Sequence, residues 1–394
     1  MSWTKTTIME EKMRFILAWK SNQFTVTQLC KDFHISRTTA YNLIKQFQLF
    51  GIKCFENKSK RPLNMPNKTP VKVEKAILKL KHKYPLWGAR KIIKLLESKI
   101  DKQLIPCEST VNKILKNNGL VKSRKRRGHK IEPLKPKFDP KLCNEIWSAD
   151  YKGKFKLGNN RYCHPLTVAD SKSRFIFTSK GHYFPTYKAV KQEYTKIFKQ
   201  FGLPKYLHTD NGVPFASPQS IQRFSKLCYW LIDIGVIPIF SDPASPQQNG
   251  RHERMHRDLK AFCTNPPAST LRKQQLIMDQ FIKQYNQIRP HEALNMKTPA
   301  DIHQVSDRKF NPNIKRPDYP PKFKVLKVTK NGAIRWKSYF WIFISNAAID
   351  RYVGLEELGN GIWRVFYRNV ILGYFDHNAI KHKQQYLKLK RILV

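Results

Sequence analysis

Three carboxylates stand out by type, order and surroundings. Asp150 lies inside IWSADYKGKF, a run whose alternation predicts a half-buried strand. Asp210 closes the short run YLHTD and is followed at once by Asn211-Gly212, a turn signal. Glu253 falls in the first turns of a helix expected after SDPASPQQNG. An ionised carboxylate within or at the end of a core strand is costly unless something neutralises it. A divalent cation can neutralise several at once, and an all-oxygen ligand set favours magnesium or manganese over zinc. Two such ions about 3.5–4 Å apart can activate an attacking oxygen and stabilise a leaving one in phosphodiester chemistry, with Asp150 bridging both. Taken singly, each acid also reads as a turn or cap residue. Asp170, the nearest competitor, precedes Ser171-Lys172 and suits a turn.

The composition points to the same chemistry. The 394 residues carry 74 Lys and Arg against 28 Asp and Glu, a net charge of +46. An excess of this size attracts a polyanion, and nucleic acid is the usual one. The surplus runs the length of the chain: 32 basic and 10 acidic residues in 1–140, 24 and 12 in 141–304, and 18 and 6 in 305–394. Seven cysteines without a CxxC pair argue against a disulfide framework or a zinc knuckle. No apolar run reaches membrane-spanning length and no signal-peptide core opens the chain, so a soluble cytoplasmic protein is expected.

The elements that must position the acids follow from periodicity. Residues 7–50 predict three short helices, the second capped by Thr25 or Thr27 and the third by Ser36, with a tight turn at His34-Ile35. This is a helix-turn-helix pattern, in which the third helix would offer Arg37, Thr38, Asn42 and Lys45 to a DNA major groove. A Pro, Lys and Asn-rich linker (56–70) separates this domain (1–55) from a second helical one over 71–121, where Ser109 would cap the last helix. KSRKRRGHK, within a basic linker over 122–140, would neutralise phosphates through Arg124, Lys125, Arg126 and Arg127. From 141 to 304 strands and helices predict an α/β domain: three strands, a helix over 187–201, a strand over 206–210, a helix over 218–234, a strand over 236–240 and a helix over 247–263. Four or five short strands over 322–378, with hairpin signals at Asn331-Gly332 and Asn360-Gly361, suggest a small β-barrel. Lys260 lies seven residues after Glu253 on the same helix face and could hold a DNA phosphate, as could His256 and Arg257 one turn from Glu253. His208 shares a strand face with Asp210, and Asn249-Gly250 would shape the turn into the helix.

WSAD (147–150), HTDNG (208–212) and SPQQNGRHERMHRDLK (245–260) resemble, in order, the signature blocks of DDE transposases with a retroviral-integrase-type core. RPHEALNMKTPADI (289–302) and the tandem helical units are similar to those of bacterial insertion-sequence transposases. The resemblance implies a multidomain chain: N-terminal helix-turn-helix units, a ribonuclease H-like core and a C-terminal β-barrel. It implies Asp150, Asp210 and Glu253 as catalytic metal ligands for two magnesium (or manganese) ions. The expected activity is binding of terminal inverted repeats, DNA cleavage and strand transfer, with at least a dimer on double-stranded DNA in a bacterial nucleoid. Between Asp210 and Glu253 lie 42 residues, more than retroviral integrases have there, and no viral-type zinc domain precedes the core. Two other readings fit the residues: a catalytically silent DNA-binding regulator derived from a transposase, and a hydrolytic nuclease on the same fold.

Overall fold

Hydroxyl caps set the first helices of the computed structural model, which describes residues 7–56, 62, 68–121, 138–151, 153–217, 220, 222–242, 249–337, 339–379 and 386–390. Helix α1 (Ile8–Lys20) begins at Thr7, α2 (Val26–Asp32) at Thr25 and α3 (Arg37–Phe50) at Ser36, each hydroxyl accepting a first-turn backbone N–H. A cap of this kind contributes about 1 kcal/mol. His34 takes a left-handed φ of 51° in the turn between α2 and α3. Phe15, Ile16, Leu29, Ala40, Leu43 and Ile44 close a core beneath the three helices. This unit, Met1–Lys68, is one of two compact units; the other is Thr69–Val394.

The larger unit opens with α4 (Val71–Lys83), α5 (Ala89–Leu96) and α6 (Glu108–Asn117). The cap of α6 is Cys107 rather than Ser109, and its side chain makes no cap hydrogen bond. Instead the Cys107 sulfur contacts the hydroxyls of Ser109 and Thr110.

A six-stranded sheet follows, from β1 (Ile146–Tyr151), β2 (Phe155–Lys156), β3 (Tyr162–Asp170), β4 (Ile176–His182), β5 (Tyr206–Thr209) and β6 (Ile237–Phe240). Its order is β2-β3-β1-β5-β6, with β4 on β3. Strands β3 and β1 run antiparallel, while β5 and β6 continue parallel to β1. Helices α7 (Tyr187–Phe201) and α8 (Lys226–Asp233) cover one face, burying Tyr194, Phe198, Trp230 and Leu231 against Trp147 and Ala149. Helices α9 (Gly250–Cys263) and α10 (Leu271–Gln287) cover the other, with Met255, Leu259, Met278 and Phe281 over Cys163, Ala169 and Ile176. The helix expected over 218–234 is shorter, because Ser225 caps α8 and a bridge pairs Ala216 with Phe224. Sequence periodicity assigns nothing to α10. Its buried face includes Gln274 and Asn286, whose amides bond the Cys263 carbonyl and the Ile176 backbone.

A four-residue helix α11 (Pro299–Ile302) leads to strands β7 (Lys324–Lys327), β8 (Ala333–Trp336), β9 (Phe340–Phe343), β10 (Tyr352–Gly359), β11 (Ile362–Tyr367), β12 (Val370–Asp376) and β13 (Tyr386–Lys388). They form two open sheets, β12-β11-β10-β7 and β13-β9-β8, rather than a closed barrel among the described residues. Their shared core includes Phe224, Cys228, Tyr229 and Ile232, three of them from α8. The inner faces thus bury against a helix instead of only against each other. Asp233, at the end of α8, is half-buried as a residue, its side chain 5% exposed and held by Arg351, Tyr367 and Arg368.

Candidate active site

The parallel pairing of β1 with β5 aligns Ser148 with His208 and Ala149 with Thr209. Side chains alternate along a strand and match across a parallel pair. Trp147 and Ala149 face α7, so Ser148 and Asp150 face α9; His208 and, just past the strand end, Asp210 follow the same parity. Two acids therefore stand side by side at the carboxyl ends of neighbouring central strands. Both lie close enough to the Tyr194 hydroxyl to help hold its pKa well above the usual phenol range, after burial and with Tyr151 and Cys228 contributing. That hydroxyl is buried without a hydrogen-bond partner among the described residues.

Asp210 stands at the rim. Burial of its carboxyl raises the pKa above the usual carboxylate range, opposed by the Gly212 N–H donating to Oδ1 at 3.1 Å. Asp210 is nonetheless exposed as a residue, so this partly desolvated carboxyl stays open to a cation, and a positive charge beside it would reverse the shift. Glu253 is exposed in the first turn of α9. No group of three or more His, Cys, Asp or Glu side chains converges to metal-holding geometry among the described residues. The strand pair is thus brought together, and Glu253 stands on the helix opposite without closing on it.

Behind Asp150 lies a hydrogen-bond hub. The Thr167 hydroxyl donates to the Asp150 carbonyl at 3.0 Å and meets His252 Nε2 at 2.7 Å and His256 Nε2 at 2.6 Å. His256 Nδ1 is 3.7 Å from Asp150 Oδ2. Burial, with His256 and His208 alongside, holds His252 well below the ordinary histidine pKa. His256 is 4% exposed, which corrects its reading as a DNA contact: it belongs to the inward stripe of α9 with His252, Met255, Leu259 and Cys263. That 3-1-3-4 spacing is the signal that could have found His252 and His256, hidden because histidines occupy apolar positions. Thr167 and Tyr194 carry no such mark in sequence.

Arg257 and Lys260 are exposed. Lys260 borders a cavity of about 180 Å³ with Lys154, over Phe155, Pro165, Leu259 and Met278. In the N-terminal unit, Arg37, Thr38, Asn42 and Lys45 are exposed on α3. Arg124, Lys125, Arg126 and Arg127 lie outside the described residues. His208 is buried and its Nε2 meets the Ser241 hydroxyl at 3.0 Å. Asn249 immediately precedes α9, without a side-chain cap bond, and Gly250 is its first residue. Asp170 is 1% exposed and accepts hydrogen bonds from the Asn144 and Ser173 backbones and the Ser173 hydroxyl, a turn-stabilising role.

Comparison with known proteins gives the same partition. Residues 141–246 and 234–299 match family models described as integrase core domain, and residues 11–62 match a helix-turn-helix domain. The match to the helix-turn-helix model thus lies ahead of the two matches to integrase core models. The chain is similar to the 31.7 kDa protein of insertion element IS407 from Burkholderia multivorans, at 27% identity over 45% of this chain and 62% of that one. It is also similar to the 39.2 kDa protein of insertion element IS476 from Xanthomonas euvesicatoria, at 28% identity over 46% of this chain and 51% of that one. A third relative is the Pro-Pol polyprotein of simian foamy virus type 1, 31% identical over 29% of this chain and 9% of the polyprotein. The chain thus spans less than two thirds of the length of each of these relatives. Among solved structures, the HTLV-2 integrase catalytic core domain in complex with magnesium aligns at 18% identity and TM-score 0.33, covering 42% of this chain and all of that one. No helix among the described residues is long and apolar enough to cross a membrane.

Proposed function

We propose that this protein is an insertion-sequence transposase of the DDE type, cutting DNA at the element's ends and joining the exposed 3′-hydroxyl to target DNA. The observation that carries this reading is the strand register that sets Asp150 and Asp210 side by side on the face covered by α9, within the segments that match the integrase core. Asp150, Asp210 and Glu253 would hold magnesium or manganese, two ions per site. A divalent ion bound there supplies Lewis-acid stabilisation of the negative charge that develops on the phosphodiester. The chain's own residues position and clamp: Lys260 and Arg257 project from the α9 surface toward solvent, where phosphates would sit. Helix α3 would read the inverted repeats through Arg37, Thr38, Asn42 and Lys45, and the second helical unit a neighbouring stretch. The basic residues around 124–127 would neutralise phosphates without reading sequence. Because two ends must be joined, at least two chains would assemble on double-stranded DNA.

Purified protein, magnesium and labelled end DNA should give nicked and strand-transfer products, with Asp210→Asn losing both and keeping end binding. Wild type that binds ends but never cuts favours the silent regulator. Cutting without joining favours a nuclease.

A further inference from the structure

The Thr167 hydroxyl is unusually committed. It has one hydrogen and two acceptor lone pairs. It donates to the Asp150 carbonyl and lies within hydrogen-bond reach of the Nε2 atoms of both His252 and His256. Thr167 is 0% exposed, His252 3% and His256 4%, and the two rings cross edge to face at 4.5 Å. Thr167 also sits directly opposite Asp150 in the β1–β3 pairing. One hydroxyl on β3 therefore ties α9 to the β1 backbone at the residue bearing the innermost acid. With Nε2 engaged by Thr167, the other ring nitrogen of His256 is turned to the Asp150 side chain, 3.7 Å from Oδ2.

We propose that Thr167, His252 and His256 form a buried positioning hub that fixes the orientation of the Asp150 carboxylate and couples it to the helix bearing Glu253. His256 is thus a positioning residue behind Asp150. The hub rests on the reading of Asp150 as a metal ligand. Its physical reason is that a strand carboxylate and a helix carboxylate can share an ion only if strand and helix keep a fixed spacing, and exposed Glu253 has no burial of its own to enforce it. Groups that orient first ligands typically change metal affinity about 10–100-fold when removed.

The test is direct Mn²⁺ binding to the full chain, read as loss of the free-ion electron paramagnetic resonance signal, beside thermal melting. Thr167→Val is nearly isosteric and His256→Phe keeps a flat aromatic ring, and both remove the hydrogen-bonding groups. Both are expected to weaken Mn²⁺ binding about tenfold, and Thr167→Ser to restore it to within about twofold. If Thr167→Val or His256→Phe fails to fold, His256→Leu, which removes the same groups without enlarging the side chain, carries the comparison. Asp150→Asn separates the two claims. Unchanged Mn²⁺ binding in Asp150→Asn overturns the metal-ligand reading at Asp150 and the hub with it. Lost binding in Asp150→Asn together with wild-type affinity in the folded hub variants leaves the ligand reading standing and overturns the hub alone.

Discussion

The bundle of α1–α3 closes its core from its own residues, from Phe15 to Phe55. The second bundle, α4–α6, buries Ile77, Ile92, Leu96 and Val111 in much the same way, yet its core also takes in Ile288 from beyond α10. Trp87, stacked on Tyr84 at 4.1 Å, lines a cleft with Asp258, Phe262, Phe281 and Arg289 of α9, α10 and the segment that follows. Arg90 bonds both Glu108 and Glu292, and burial beside Arg289 lowers the Lys91 pKa to about 8. Two helical units similar in pattern thus differ in what they lean on. A bundle with its own core can present a surface as an independent reader. One built into the flank of α9 and α10 is mechanically part of the domain that carries the central sheet.

The largest test of that contrast is cavity creation. Phe15→Ala and Ile92→Ala should each cost about 3 kcal/mol. In calorimetry of the full chain, Phe15→Ala should lower only the transition of the smaller unit, and Ile92→Ala only that of the larger. A common shift would erase the distinction. Next comes Arg289→Ala, which strands the Asp258 carboxylate now paired at 2.6 Å with both side chains mostly buried. We expect about 3 kcal/mol in the larger unit alone, measured by urea unfolding.

A pH experiment is gentler. Burial, then Arg289, Lys91 and Arg174, lowers the His291 pKa from an ordinary 6.5 to about 3. The folded state binds this proton less readily than the unfolded one, so the contribution is whole above pH 6.5 and is lost progressively toward pH 3. The slope is about 1.4 kcal/mol per pH unit at most. His291→Phe should flatten it in the larger unit and leave the smaller one untouched. The smallest stability effect belongs to Arg37→Ala and Lys45→Ala on the exposed face of α3, within about 0.5 kcal/mol. Their effect should appear in DNA affinity instead, with the slope of log affinity against log salt becoming shallower by about one for each phosphate no longer neutralised. Unchanged DNA affinity in both would remove α3 as the reader.

Local rules are the legible part of this sequence. Thr25 and Ser36 announce their helices because a hydroxyl cap is a short-range device, and α7 occupies the residues its apolar spacing marks. Asn360-Gly361 forms its turn because both residues take positive φ, 52° and 79°. Long-range partnerships are not legible. Helix α10 hides because Gln274 and Asn286 are buried by bonding distant backbone. Barrel closure is not seen among the described residues, and periodicity that finds the strands does not find the helix sharing their core. At the site, flanking motifs mark Asp150, Asp210 and Glu253, whereas the inward turn of His256 depends on Thr167, 89 residues away.

Helix α8 has a last consequence. Every residue from Leu227 to Ile232 is buried, some against the central sheet and some against the C-terminal strands. The C-terminal strands are therefore not a detachable module. A chain ended before residue 320 would bare the Cys228, Tyr229 and Ile232 side of that helix and leave Asp233 without its arginines. A frameshift late in the reading frame would then yield a sticky, protease-sensitive product rather than a trimmed but intact core.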